Sequence, residues 1–234
     1  SLCDWSSDVC SSDLSSFRVA RILLDRIEDA ATGEIVLDSL RAAVPDDRMS
    51  QARAAAEVLG EGVHDKYPFQ AGARPMGEDG VTRILARTWA ATLSVTGADG
   101  MPSLADAGNV LRPETALKLS FRLAPTTDPD AACRAVAEAL ESDPPYGASV
   151  RFENADAATG WNAPPFAPWL DEAIQESSRT FFGKDAVSLG EGDTIPLMGL
   201  LGESFPEAQF VITGVLGPGS NAHGPKDRKS TRLN

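Results

Sequence analysis

Residues 209–225 read QFVITGVLGPGSNAHGP, from Gln209 to Pro225. Phe210, Val211 and Ile212 form an unbroken apolar run that continues at Val215 and Leu216. So short a run, rich in β-branched residues and bounded by Gly and Pro, predicts a strand buried on both faces, the pattern of a parallel sheet. The run breaks into a loop with Gly217, Pro218, Gly219 and Gly224, which carries His223, one of 2 histidines in the chain. Ligands of open α/β sheets gather just beyond the carboxyl ends of the strands, which is where this loop would lie. No Lys-Ser/Thr pair follows the glycines, so the loop is not a phosphate cradle.

Working back from there, Pro164-Pro165 precedes a helix with Phe166, Trp169, Leu170, Ala173, Ile174 and Phe181 on one face. A loop at Gly190–Pro196 and a short helix carrying Leu197, Leu200 and Leu201 lead into the apolar run. This order predicts the end of a doubly wound, largely parallel α/β domain.

Before about residue 155 the pattern is different. Leu117, Leu119, Phe121 and Leu123 alternate with Lys118, Ser120 and Arg122, which predicts a half-buried strand of an antiparallel sheet with Arg122 turned away from the core. Asp128-Pro129-Asp130 starts a helix, with an Asp cap, Pro in the first turn and acid at the positive end of the dipole. Ala132, Ala135, Val136, Ala139 and Leu140 form its buried stripe, and Asp143-Pro144-Pro145 ends it. Ala148, Val150 and Phe152 predict another alternating strand, and Trp89–Thr96 one more. A helix from Ser15 or Ser16 to about Ala31, stopped by Gly33, and an Ala-rich helix over 48–60 complete the set. Together they predict a small α/β sandwich with helices on one face of an antiparallel sheet. His64, in GVHDKYPF, reads as a loop histidine with a satisfied partner rather than a ligand.

Three stretches, in order, resemble the M20 metallopeptidases, the di-zinc exopeptidases that include carnosinase-like dipeptidases. Leu119–Pro125 (LSFRLAP) resembles the strand of that family's lid, or dimerisation, domain. Gly190–Pro196 (GEGDTIP) resembles its substrate loop, and LGPGSNAHGP its last metal-ligand loop. The resemblance implies a lid domain over 15–155 and the C-terminal part of a zinc-peptidase domain over 156–225. It makes His223 a metal ligand. Glu191 and Thr194 would meet the substrate's backbone and terminus. Asn109 and Arg122 match lid residues that reach the substrate carboxylate, a task suited to the planar fork of arginine. Asp193 stands where the family usually has Gly, a residue that allows close backbone approach.

The resemblance also implies two divalent metals, zinc by preference, a dipeptide or N-acyl amino acid substrate, and a homodimer through the lid. The family's H-x-D motif, bridging Asp and Glu-Glu pair have no counterpart in this sequence. A catalytic zinc takes three protein ligands, so no tight binding is expected here. The expectation is therefore a dipeptidase fragment without activity of its own. The competing readings are an N-acyl amino acid deacylase of the same family and a non-catalytic dimerisation module.

Composition bounds these readings. Hydrophobic content is 42%, charged content 24% and net charge −13, which argues against nucleic acid or an anionic membrane as partner. No apolar run approaches the ~20 residues of a membrane span and no signal peptide is visible. Of 3 cysteines only Cys133 lies in domain-like sequence, which gives no disulfide framework and suits a reducing cytoplasm. Residues 1–14 (SLCDWSSDVCSSDL) and 226–234 (KDRKSTRLN) lack any structural period and read as a non-native leader and tail. Their charges cancel, so the acidity belongs to residues 15–225.

Overall fold

The fold is taken from a computed structural model, which describes residues 14–65, 67, 69–108, 110–190 and 196–214. It opens with α1 (Ser16–Leu24), whose Val19 and Leu23 are buried. The helix stops a full two turns before the predicted Ala31. Arg26 and Ile27 donate back to Leu23 and Leu24, tightening the last turn, and the chain then folds into a hairpin of β1 (Glu28–Asp29) and β2 (Glu34–Ile35). Gly33 serves that hairpin instead of a helix end: its φ of 73° is a left-handed conformation, and its N–H bonds the Asp29 carbonyl at 2.7 Å.

Next come α2 (Asp46–Leu59), close to its predicted range, and α3 (Gly80–Thr88). Sequence reading missed α3, although Asp79 caps it by accepting from the Thr82 N–H at 2.7 Å. β3 (Thr92–Asp99) and β4 (Ala116–Arg122) pair antiparallel, with Leu93 opposite Phe121 and Val95 opposite Leu119, and a register shift between Val95 and Gly97. Residues of β4 alternate between half-buried and exposed as their period-two pattern predicts.

α4 (Pro129–Glu141) follows, with the Asp128 carboxylate accepting from the Asp130 and Ala131 N–H groups. Its buried residues, Ala132, Val136 and Leu140, are part of the predicted stripe. The side chain of Arg26 closes its other end, donating to the carbonyls of Ala139, Ser142 and Asp143 at 3.0, 2.6 and 2.7 Å. A cation there also complements the negative end of the helix dipole. Val19, Leu23, Ile27, Ile35, Leu40 and the α4 stripe form the main core, against which Leu93, Leu119 and Phe121 pack. A second cluster joins α2 to α3 through Ala52, Ala55, Val63 and Ile84. The first unit is thus helices on one face of a small antiparallel sheet, as expected.

Ala148, Val150 and Phe152 do alternate inward and pack on the main core, but no strand pairs there. The period of two reads side-chain burial, and it does not require a ladder partner. Beyond residue 153 lie α5 (Pro168–Phe182) and α6 (Pro196–Ser204). Every fully buried apolar side chain among the described residues lies between Val19 and Leu140. The α5 face expected to be buried is only partly covered: Phe166, Leu170 and Ile174 are half-buried, while Trp169 and Phe181 are 65% and 79% exposed.

Residues 209–214 form no strand either, and Val211 and Ile212 are exposed. The physical reason is that a strand buried on both faces needs neighbouring strands and covering helices. Among the described residues no strand pairs with 209–214. Its neighbours are the start of α5, where the Ala167 N–H donates to Gln209 Oε1 at 2.6 Å, and Trp161, edge-on to Phe210. The predicted run's last members, Val215 and Leu216, lie outside the described residues.

Candidate functional site

Arg122 is the last residue of β4, on the exposed row of the strand. Its guanidinium crosses to the end of α3, where Nη1 donates to the Arg87 carbonyl at 3.4 Å. An open groove of about 1930 Å³ adjoins it, with Thr88, Ser120, Arg122, Gly190 and Ile212 in its lining. The groove therefore brings the Arg122 strand together with the residue that opens the Gly190–Pro196 loop. Asn109, Glu191, Thr194 and His223 lie outside the described residues.

Sequence reading did not foresee how the Gly190 segment is held. Gln175, on α5, brackets Ala186: its Oε1 accepts from the Ala186 N–H at 3.0 Å and its Nε2 donates to the Ala186 carbonyl at 3.2 Å. Arg179, one turn further, pairs with Asp185, and that carboxylate raises the pKa of the guanidinium. Leu189 then packs on the α2–α3 cluster. No sequence signal marks the Gln175 bracket. α3 itself was findable, from Asp79 before Gly80 and the helical spacing of Val81, Ile84 and Leu85.

His64 is the other histidine. Its Nε2 is 3.2 Å from Glu61 and 3.7 Å from Asp65, and these three are the one group of potential metal ligands among the described residues. Arg83 Nη1 lies 3.3 Å from Nδ1. Arginine only donates, so Nδ1 accepts, which leaves the ring proton on Nε2 facing Glu61. A metal on Nε2 would need a ring stripped of both protons. Both ring nitrogens of His64 thus have a partner, the Arg83 guanidinium on one side and the Glu61 carboxylate on the other.

The cap of α3 carries a pH signature. The Thr82 backbone N–H, with smaller help from its side chain, holds the Asp79 carboxyl below its ordinary value of 3.8. A depressed folded pKa contributes stability above the unfolded value, and that contribution is lost as pH falls through the folded one. In an NMR titration the Thr82 amide shift is expected to move with a midpoint below 3.8. A midpoint at or above that value would show that the cap does not form.

No protein-family model matches the chain. Among curated proteins, a cysteinylglycine-S-conjugate dipeptidase from Corynebacterium striatum is 27% identical over 173 residues, covering 69% of this chain and 36% of that protein. Among solved structures, the M20 family metallo-carboxypeptidase Sso-CP2 from Sulfolobus solfataricus superimposes with a TM-score of 0.65 at 17% identity, over 92% of this chain and 48% of its own. The di-peptidase Dug1p from Saccharomyces cerevisiae gives 0.61 at 16% identity, over 84% and 41%. Human carnosine dipeptidase 1 gives 0.56 at 17%, over 82% and 41%. The chain has the M20 metallopeptidase fold.

The M20 fold accounts for both parts of the molecule: the sheet-and-helix unit and the helices that follow it. This chain spans between 36% and 48% of the length of these relatives. Among the described residues no helix is long and apolar enough to cross a membrane.

Proposed function

We propose that this chain is part of a zinc-dependent M20 exopeptidase that hydrolyses dipeptides by metal-activated water. Residues 15–155 are its lid domain and 156–225 the C-terminal part of its catalytic domain, with 1–14 and 226–234 foreign to both. The observation that carries the reading is the coincidence of three ordered motifs with this fold and with a dipeptidase relative.

In this reading Arg122 and Asn109 grip the substrate's C-terminal carboxylate, and Arg122 does so through two parallel N–H donors. Glu191 and Thr194 hold the substrate's backbone, and His223 would hold a zinc ion. Bound zinc polarises the scissile carbonyl and lowers the pKa of its water to about 7. One histidine cannot hold a catalytic zinc, so the chain by itself is inactive. The complete enzyme is a cytoplasmic homodimer through the lid.

The test is a substrate panel on this chain joined to the upstream half of the Corynebacterium striatum dipeptidase, with zinc added. Dipeptides are expected to turn over at least about tenfold faster than N-acyl amino acids, a difference of ~1.4 kcal/mol. The reverse preference would make the protein a deacylase. A folded, zinc-loaded fusion that cleaves neither would leave a dimerisation module.

A further inference from the structure

The last turn of α3 is touched from two sides within one groove. From β4, Arg122 donates to the Arg87 carbonyl. From the far side, Gly190 lies directly on Thr88. A side chain at 190 would put its Cβ 3.1 Å from Thr88 Cβ and 3.4 Å from its Cγ2. Thr88 is poorly placed to yield, because its Oγ1 donates to the Ile84 carbonyl at 2.7 Å in the preceding turn. Nor is Gly190 at the end of a loose segment: Ala186 is bracketed by Gln175, and Leu189 is packed against the α2–α3 cluster.

We infer that the C-terminal turn of α3 is a shared seat, in which Thr88 is a positioning residue that fixes the Gly190 backbone relative to the Arg122 guanidinium. Glycine suits 190 because a Cβ there would press on the Thr88 side chain, which would have to shift by a few tenths of an ångström. The inference rests on the reading that Arg122 grips a substrate carboxylate, and it adds what sets the spacing of that grip. The spacing matters because a dipeptide is only about 7 Å long. A misplacement of ~1 Å in such a site can cost on the order of a hundredfold.

The test uses the full 234-residue chain. NMR titration compares alanyl-alanine with its C-terminal amide, and hydrogen exchange is followed at Val187–Leu189, with α4 as the internal control. The wild-type chain is expected to prefer the free carboxylate, and Arg122→Ala to abolish that preference. Gly190→Ala is expected to weaken carboxylate binding about tenfold and to speed exchange at Val187–Leu189 by a similar factor, with α4 unchanged. The double variant Thr88→Gly/Gly190→Ala, which removes the clash, is expected to restore both to within about threefold of wild type.

Unchanged exchange and affinity in Gly190→Ala would overturn the seat, as would a folded double variant that restores neither. If the double variant does not fold, Gly190→Ala alone decides. A wild-type chain that binds acid and amide equally would sink the carboxylate grip, while the exchange data still judge the seat.

Discussion

Alanine at position 122 is expected to lower kcat/KM of the fused, zinc-loaded enzyme by about ten- to a hundredfold, with lysine between alanine and wild type. The argument begins with β4. Leu119 and Phe121 pack on the core, so the period of two turns Ser120 and Arg122 to the other face. The Arg122 guanidinium stands there beside an open groove and reaches the end of α3. A hydrogen bond to a charged partner contributes roughly 1.5–3 kcal/mol, and each ~1.4 kcal/mol is tenfold in rate, which sets the expected range. Lysine keeps the charge and loses the planar fork.

The structure adds a resting partner that sequence could not reveal. With Nη1 on the Arg87 carbonyl, Arg122 also helps close the C-terminus of α3. That bond is long and exposed, so Arg122→Ala is expected to shift folding stability by less than about 0.5 kcal/mol. Steady-state kinetics and thermal melts on the same two variants separate the roles. Wild-type kcat/KM in Arg122→Ala would rule out the carboxylate grip, and a large fall in melting temperature would make Arg122 a helix cap first.

How legible the molecule was depended on which physical signal each element uses. α4 was readable because Asp128, Pro129 and its apolar stripe all point to the same helix. β4 was readable because one face is covered. The end of α1 was misread, since Ile27 keeps the helical spacing while its N–H bonds Leu24 in a tighter turn. α3 was missed because nine residues with Thr82, Arg83 and Arg87 among them give a thin apolar stripe.

The run at 209–214 taught a different lesson. Its composition states what the segment needs around it, namely flanking strands, and the described residues do not provide them. For the site, motif order named Arg122 and the stretch that begins at Gly190, and both Arg122 and Gly190 line one groove. Thr88 as their common seat was invisible, because a contact between residues 88 and 190 leaves no mark on either local pattern.

The second large effect is all-or-none and concerns the chain as it stands. Its 2 histidines must serve any imidazole ligation. One of them, His64, is spent on Arg83 and Glu61. A catalytic zinc takes three protein ligands, and the proposal leaves this chain with His223 alone. Hydrolysis of a dipeptide at neutral pH also needs a carboxylate base within reach of the metal-bound water, and no motif for one is present. Lost catalysis of this kind is not a matter of a weak contact: without the ion there is no activated water.

The most direct measurement is therefore hydrolysis of alanyl-alanine by the purified 234-residue chain, with zinc, manganese or cobalt added and with a chelator as control. The account predicts no release of free alanine above the chelated blank. Metal-dependent turnover that the chelator removes would contradict it, and would mean that the chain holds a complete metal site that its motifs do not reveal.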